Sequence, residues 1–189
     1  MAFSTQESLC RGTQFFAFRS AVFELWGELG WSDVTALLSS DARTALFKAE
    51  VSPVGWIAER HMIALAEAVF AGPSSKQQDV YLRFVAKMIA HGFGRIRRFF
   101  VRFAPPELLL ERAPDLWRHD HSHGKLEVRV EGRRAQVVLS DHIHTTTELS
   151  RLTAAESFRC ALAQTRAIHV RASHRLDEQQ DLEILLEWV

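Results

Sequence analysis

The feature that most constrains this chain is a change of hydrophobic period at Gly124. Beyond it, Leu126, Val128 and Val130 alternate with Lys125, Glu127, Arg129 and Glu131. A period of two fits a half-buried strand, whose successive side chains point to opposite faces. Gly132-Arg133 supplies a tight turn, and Ala135, Val137 and Leu139 carry a returning strand with Gln136 and Ser140 outward, which predicts a hairpin. Thr145-Thr146-Thr147 then caps an amphipathic helix through Leu149, Leu152, Ala155, Phe158 and Leu162, ending near Gln164. A second strand pair reads through Ile168, Val170 and Ala172, then Leu182, Ile184, Leu186 and Trp188, joined by the charged loop His174 to Gln180. Strand, strand, helix, strand, strand describes a small antiparallel sheet covered on one face by helices.

Before Gly124 the period is helical. Arg11 to Phe18 opens as a strand in this reading and passes into a helix from about Ser20, stopped by Gly30. Ser32-Asp33 and Ser39 to Asp41 cap two short helices, through Leu38 and up to Phe47. Ser52-Pro53 opens the clearest helix, with Ile57, His61, Ile63, Leu65, Ala68 and Val69 as its apolar face, until Ala71-Gly72-Pro73 stops it. Ser74-Ser75 caps the next, and Gly92 and Gly94 predict a break or a close packing contact in it. Arg95 to Phe103 continues as helix, Pro105-Pro106 ends it, and two brief helical turns follow, through Leu110 and from Ala113-Pro114-Asp115 to Trp117. The expected fold class is therefore α+β, an N-terminal helical part packed on a small antiparallel sheet formed by a C-terminal ββαββ unit. At 189 residues the chain is expected to be one domain, with residues 1–50 as N-terminal strand and short helices, 51–118 as the helical part and 124–189 as the ββαββ part.

Charge excludes some partners. The 23 basic and 23 acidic residues cancel, leaving no field to draw the chain to nucleic acid or an anionic membrane surface. Apolar runs fall short of the roughly 20 residues that span a bilayer, and no signal-peptide pattern opens the chain. Cys10 and Cys160 lie outside any metal or redox spacing, so both read as reduced thiols of a soluble, cytoplasmic protein. Catalytic signatures are missing too: no G-x-S-x-G elbow, no phosphate loop and no dinucleotide fingerprint. Cys160 sits on the apolar face of its helix and reads as core. The pattern argues against an enzyme.

Three groups of residues are candidate sites. His119, His121 and His123 alternate on one segment, and His142 and His144 follow the next strand. The hairpin would bring both groups to one end, where zinc would need three or four ligands converging at roughly 2.0 to 2.2 Å. A solvated histidine rim is the competing reading. Arg95, Arg97, Arg98 and Arg102 share one helix and could offer guanidinium forks to an anion, against a plain solvated face. The aromatic residues Phe15, Phe16, Phe18, Phe99, Phe100 and Phe103 could line an apolar pocket or a dimer seam, against ordinary core packing.

The run PPELLLERAPDLWRHDHSHGKLEVRV, Pro105 to Val130, with the Gly-Phe-Gly helix before it and the terminal Leu-Glu-Trp, resembles a family of small bacterial proteins found chiefly among myxobacteria. Its members look distantly like the haem-NO-binding, 4-vinyl-reductase and Bet3-type trafficking-subunit fold. The resemblance covers about Ser52 to Val189 and rests on packing and cap positions, among them Pro106, Arg112, Trp117, Gly124 and Trp188. It implies a ligand-sensing or dimerising domain. The haem-binding relatives grip propionates with a Tyr-x-Ser-x-Arg motif, whereas here the single tyrosine, Tyr81, is followed by Leu82-Arg83-Phe84. The cysteines that 4-vinyl-reductase domains often carry near the last hairpin are missing as well.

The expectation is a non-enzymatic regulatory or sensory domain, homodimeric, binding a small apolar ligand or a protein partner. Phe99, Phe100, Phe103, Arg95, Arg98 and Trp117 are its candidate ligand-binding residues. The alternative is a metal-dependent protein using His119, His121, His123, His142 and His144. No cofactor is expected, haem least of all, with zinc at the histidines as the exception.

Overall fold

The computed structural model describes residues 7–48 and 50–189, with residues 95–100 described by their backbone alone. The chain is α+β, with six α-helices and two antiparallel sheets among the described residues. It divides into two compact units at Gly92 and Phe93.

In the N-terminal unit, residues 7–92, β1 (Leu9–Arg11) pairs antiparallel with β2 (Trp56–Ala58). The strand expected over Arg11 to Phe18 is not formed there: β1 lies before it and ends at Arg11, and from Gly12 the chain is already α1 (Gly12–Leu37). Its break falls at Gly27, where φ is +65°, not at Gly30. Gly30 stays helical and buried because a Cβ there would lie 2.2 Å from the Cβ of Trp26. Ser39 caps α2 (Ser40–Arg43) as expected, its Oγ accepting from Ala42 N at 3.2 Å.

Two other expected caps serve different ends. Ser52 forms a turn, its carbonyl accepting from Gly55 N at 3.0 Å, and α3 (Glu59–Ala71) starts only after β2. Ser74 and Ser75 close α3 instead of opening the next helix: Ser74 N donates to the Val69 carbonyl, Lys76 N to that of Phe70, and Ser75 and Lys76 take left-handed backbone. The core gathers Phe18, Val22, Leu65, Val69, Tyr81 and Phe84. Phe18 meets Phe84 edge-on at 4.7 Å, so the buried Phe15 and Phe18 are core and line no seam.

The helix α4 (Gln78–Val101) is interrupted at Gly94, φ +61°, as the paired glycines predicted. The C-terminal unit, residues 93–189, continues with α5 (Pro106–Asp120), which runs unbroken through Pro114 where two short turns were expected. The strands are β3 (Lys125–Glu131), β4 (Arg134–Ser140), β5 (Arg171–Leu176) and β6 (Leu182–Glu187), ordered β3-β4-β6-β5 and antiparallel throughout. Between the hairpins lies α6 (Glu148–Leu162), capped by Thr147, whose Oγ1 accepts from Ser150 N at 3.1 Å. The expected ββαββ order is present. Its fourth element, β5, starts later than Ile168 because His169 adopts φ +52° and breaks the extension. Ile168 pairs by backbone with Val189 and leaves its side chain exposed.

One face of this sheet is dry: Leu126, Val137, Leu139, Leu182, Ile184 and Leu186 pack with Leu110 of α5 and Leu162 of α6. Each such side chain contributes about 1.5 to 3 kcal/mol by leaving water. No described helix is long and apolar enough to cross a membrane.

Candidate functional site: three histidines and a tryptophan beside an apolar hollow

The end of α5 and the two flanks of the first hairpin build the site, all within the C-terminal unit. Trp117 and His121 are four apart on the last turn, which puts them on one face. His121 leaves the helix as its C-cap, its N–H still donating to the Trp117 carbonyl at 2.8 Å. The two rings stack with centroids 3.8 Å apart and planes 8° from parallel. Trp117 Nε1 donates to the His123 carbonyl at 3.1 Å, which ties the indole to the following turn.

That turn depends on Gly124. Its φ is +83°, and a Cβ would lie 2.8 Å from Cδ2 of His142, so this position excludes any larger residue for two separate reasons. His142 thereby seats deep, 2 % exposed. Its Nδ1 accepts from the His144 N–H at 3.2 Å, which leaves the proton of the neutral ring on Nε2. Its carbonyl accepts from Thr145 N and Oγ1.

The imidazoles of His121, His142 and His144 come together, with centroids 5.4, 6.3 and 4.8 Å apart in pairs, and His142 stands edge-on to Trp117 at 4.8 Å. His119 and His123 do not join them. The His119 ring lies 2.8 Å from its neighbour Asp120, and His123 bonds Ser122 Oγ at 2.7 Å. The hairpin thus collects three of the five expected histidines.

Next to this cluster a hollow of about 160 Å³ opens, walled by Leu109, Ala113, Leu126 and Phe158, with Trp117 and His121 at its rim. Trp117 is the expected ligand-binding residue that lines it. Phe103 is 55 % exposed and does not, while the side chains of Arg95, Arg98, Phe99 and Phe100 lie outside the described residues. The sequence pattern did not single out Phe158. Its signal was the stripe Phe158, Ala161 and Leu162 on α6 facing Leu109, Ala113 and Leu116 on α5.

Charges around the site are held in place. Arg151 donates to Glu148 and to the Thr145 carbonyl, and His174 lies 3.1 Å from Glu148. Hydrogen bonds from Arg151, then from His174, hold the Glu148 carboxyl below its ordinary range. On α6, Glu156 grips Arg159 through both oxygens and accepts from the Cys160 thiol. Burial, then the Glu156 charge, pushes the thiol up to about 12, so Cys160 is an inert core thiol as expected.

No family model matches the sequence, and no curated protein matches it. Solved structures do match the fold. An H-NOX protein from K. algicida in its unliganded Fe(II) form aligns at TM-score 0.66 and 8 % identity, over 95 % of this chain and 96 % of that one. An H-NOX protein from S. oneidensis in the Fe(II)NO state aligns at 0.66 and 13 %, over 95 % and 99 %. An oxygen-binding H-NOX domain related to soluble guanylate cyclases aligns at 0.59 and 8 %, over 94 % of each. The chain has an H-NOX-like fold. This corrects the cofactor expectation, which set haem aside for want of Tyr-x-Ser-x-Arg and left zinc as the only candidate. The fold is kept here without that motif, so its absence does not set haem aside.

Proposed function

We propose that this chain is a sensory domain that takes up a small apolar ligand in the hollow beneath Trp117 and His121, with haem the first ligand the fold points to. The observation that carries the reading is an imidazole at the rim of an apolar hollow within an H-NOX-like fold. The donor set suits haem: His121 would hold the iron through a ring nitrogen, and Leu109, Leu126 and Phe158 would offer apolar contact. Haem iron, when bound, supplies a coordination position for a diatomic gas. The hollow is smaller than the roughly 300 to 1,000 Å³ of most ligand sites, so a macrocycle would require the exposed Leu116 and the half-buried Trp117 to move outward. A smaller apolar molecule would not.

The chain's own residues have defined parts. Trp117 holds the His121 ring flat, Gly124 lets His142 sit beneath it, and Phe158 keeps water from the wall. A sensory domain must pass on its state, and the reading includes a second copy of the chain as the partner. A second reading, a metal ion held directly by imidazoles, is favoured by the approach of His121 and His142, which offer ring nitrogens within 4.8 Å of one another. Protein purified without an affinity tag from haem-supplied cells tests both by its absorption spectrum and metal content. Iron with a porphyrin band supports the first, and stoichiometric metal without porphyrin the second. If neither is found and the protein fails to take up an apolar fluorescent probe, both fall.

A further inference from the structure

We propose that the open face of the β3-β4-β6-β5 sheet is where a second copy of this chain docks, through a two-fold axis parallel to the strands. The dimeric partner comes from the function proposed above. The location rests on the sheet alone.

The register places Glu131, Arg134, Glu187 and Arg171 side by side, one per strand, across the whole sheet. Neighbours in a row share a face, and here it is the solvent face: Arg134 and Glu187 are 78 % and 52 % exposed. The next row holds Arg129, Gln136, Leu185 and Ser173, and the third Glu127, Val138, Glu183 and Arg175. Leu185, 41 % exposed, sits near the centre.

Alternating signs stabilise the sheet by cross-strand pairing, and Arg134 does pair with Glu187 at 2.9 Å. The alternation has a second property. A two-fold axis along the strands carries the order β3-β4-β6-β5 onto β5-β6-β4-β3. Glu131 then faces Arg171 of the second copy, and Arg134 faces its Glu187, with both contacts repeated by symmetry. In the third row Glu127 faces Arg175. An odd number of strands in the same alternation, or like charges on the two central strands or on the two edge strands, would lack this self-complementarity. Around the row the surface is concave, a hollow of about 650 Å³ bordered by Arg133, Arg171 and His169.

Four strands about 4.8 Å apart, with six or seven residues rising about 3.3 Å each, present roughly 400 Å² per copy in projection. That is below the ~800 Å² per partner of a standard interface. The dimer is therefore weak and exchanging, and salt weakens it.

Sedimentation equilibrium of the full chain at low and high salt tests this, using wild type, E131R, R171E, their equimolar mixture, and the double variant. Wild type should dimerise reversibly and less in salt. Either single reversal sets like charges against each other and should weaken the dimer about tenfold or more. The mixture should recover it as a heterodimer, and the double variant as a homodimer. Leu185→Glu, at the exposed centre, should be monomeric while melting as a folded protein. If the single variants dimerise like wild type, this face is wrong while the dimeric reading stands. If the mixture recovers nothing, the two-fold arrangement is wrong. If wild type is monomeric at every salt concentration, the docking and the dimeric partner both fail.

Discussion

Trp117 and His121 lie face to face, ring centroids 3.8 Å apart, at the point where α5 gives way to the first strand of the sheet. The stack joins helix to hairpin and forms the rim of the apolar hollow. Removing it therefore affects stability and binding together. Trp117→Phe keeps a stacking ring but loses the bond to the His123 carbonyl, and is expected to cost roughly 1 kcal/mol. Trp117→Ala also empties the wall and is expected to cost roughly 3 kcal/mol. Urea denaturation of both variants measures the difference.

Gly124 is the least replaceable residue of the turn. Gly124→Ala meets a left-handed backbone and the His142 ring at once, an expected loss of about 2 kcal/mol or more. A thermal melt reads it, and an unchanged midpoint would mean that His142 is not seated against this turn.

Glu183 contributes to the acid limb of stability. It is 5 % exposed, and hydrogen bonds from Arg175, then Gln136, hold its carboxyl below the ordinary range against the opposing effect of burial. A folded-state value below the unfolded one means stability is full above the unfolded value, about pH 4.3, and is lost as pH falls through the folded one. Glu183→Gln should flatten that decline below about pH 4 and lower stability near neutrality by roughly 1 to 2 kcal/mol. Chemical denaturation at a series of pH values checks the slope.

Cys160 should resist alkylation. With its thiol pushed up to about 12, it carries almost no thiolate near neutrality. Iodoacetamide labelling followed by mass spectrometry should therefore modify Cys160 only at the rate of unfolding. Prompt labelling of the folded protein would contradict the burial and the Glu156 contact.

How much of this was written in the sequence depends on which force decides each element. The ββαββ half was legible because Leu126 to Val130 alternate strictly with charged residues, Leu182, Ile184 and Leu186 recur every second position, and Thr147 caps where a short polar side chain must. Gly94 breaks α4 where the paired glycines said. The misreadings were tertiary. Gly30 looks like a stop, yet it is small to admit Trp26, while Gly27 takes the left-handed turn. Pro114 looks like a helix start, yet packing of Leu109, Leu110, Ala113 and Trp117 carries α5 through it. The site followed the same division. The hairpin register predicted that the histidines meet at one end, but only the turn at Gly124 and the deep seat of His142 decide that His121 and His144 join it while His119 and His123 face away. The lack of Tyr-x-Ser-x-Arg misled the cofactor reading, since a fold kept by apolar patterning need not keep one polar motif.

Titration of the purified chain with hemin, followed by absorbance and repeated on His121→Ala and on Ala113→Phe, tests the central claim most directly. The account predicts a saturable complex of one haem per chain. It also predicts that His121→Ala weakens that complex and alters its spectrum by removing the ring nitrogen that would hold the iron, and that Ala113→Phe weakens it by filling the hollow. Saturation by wild type with both variants indistinguishable from it would place the ligand elsewhere, and no saturable complex at all would contradict haem as the ligand.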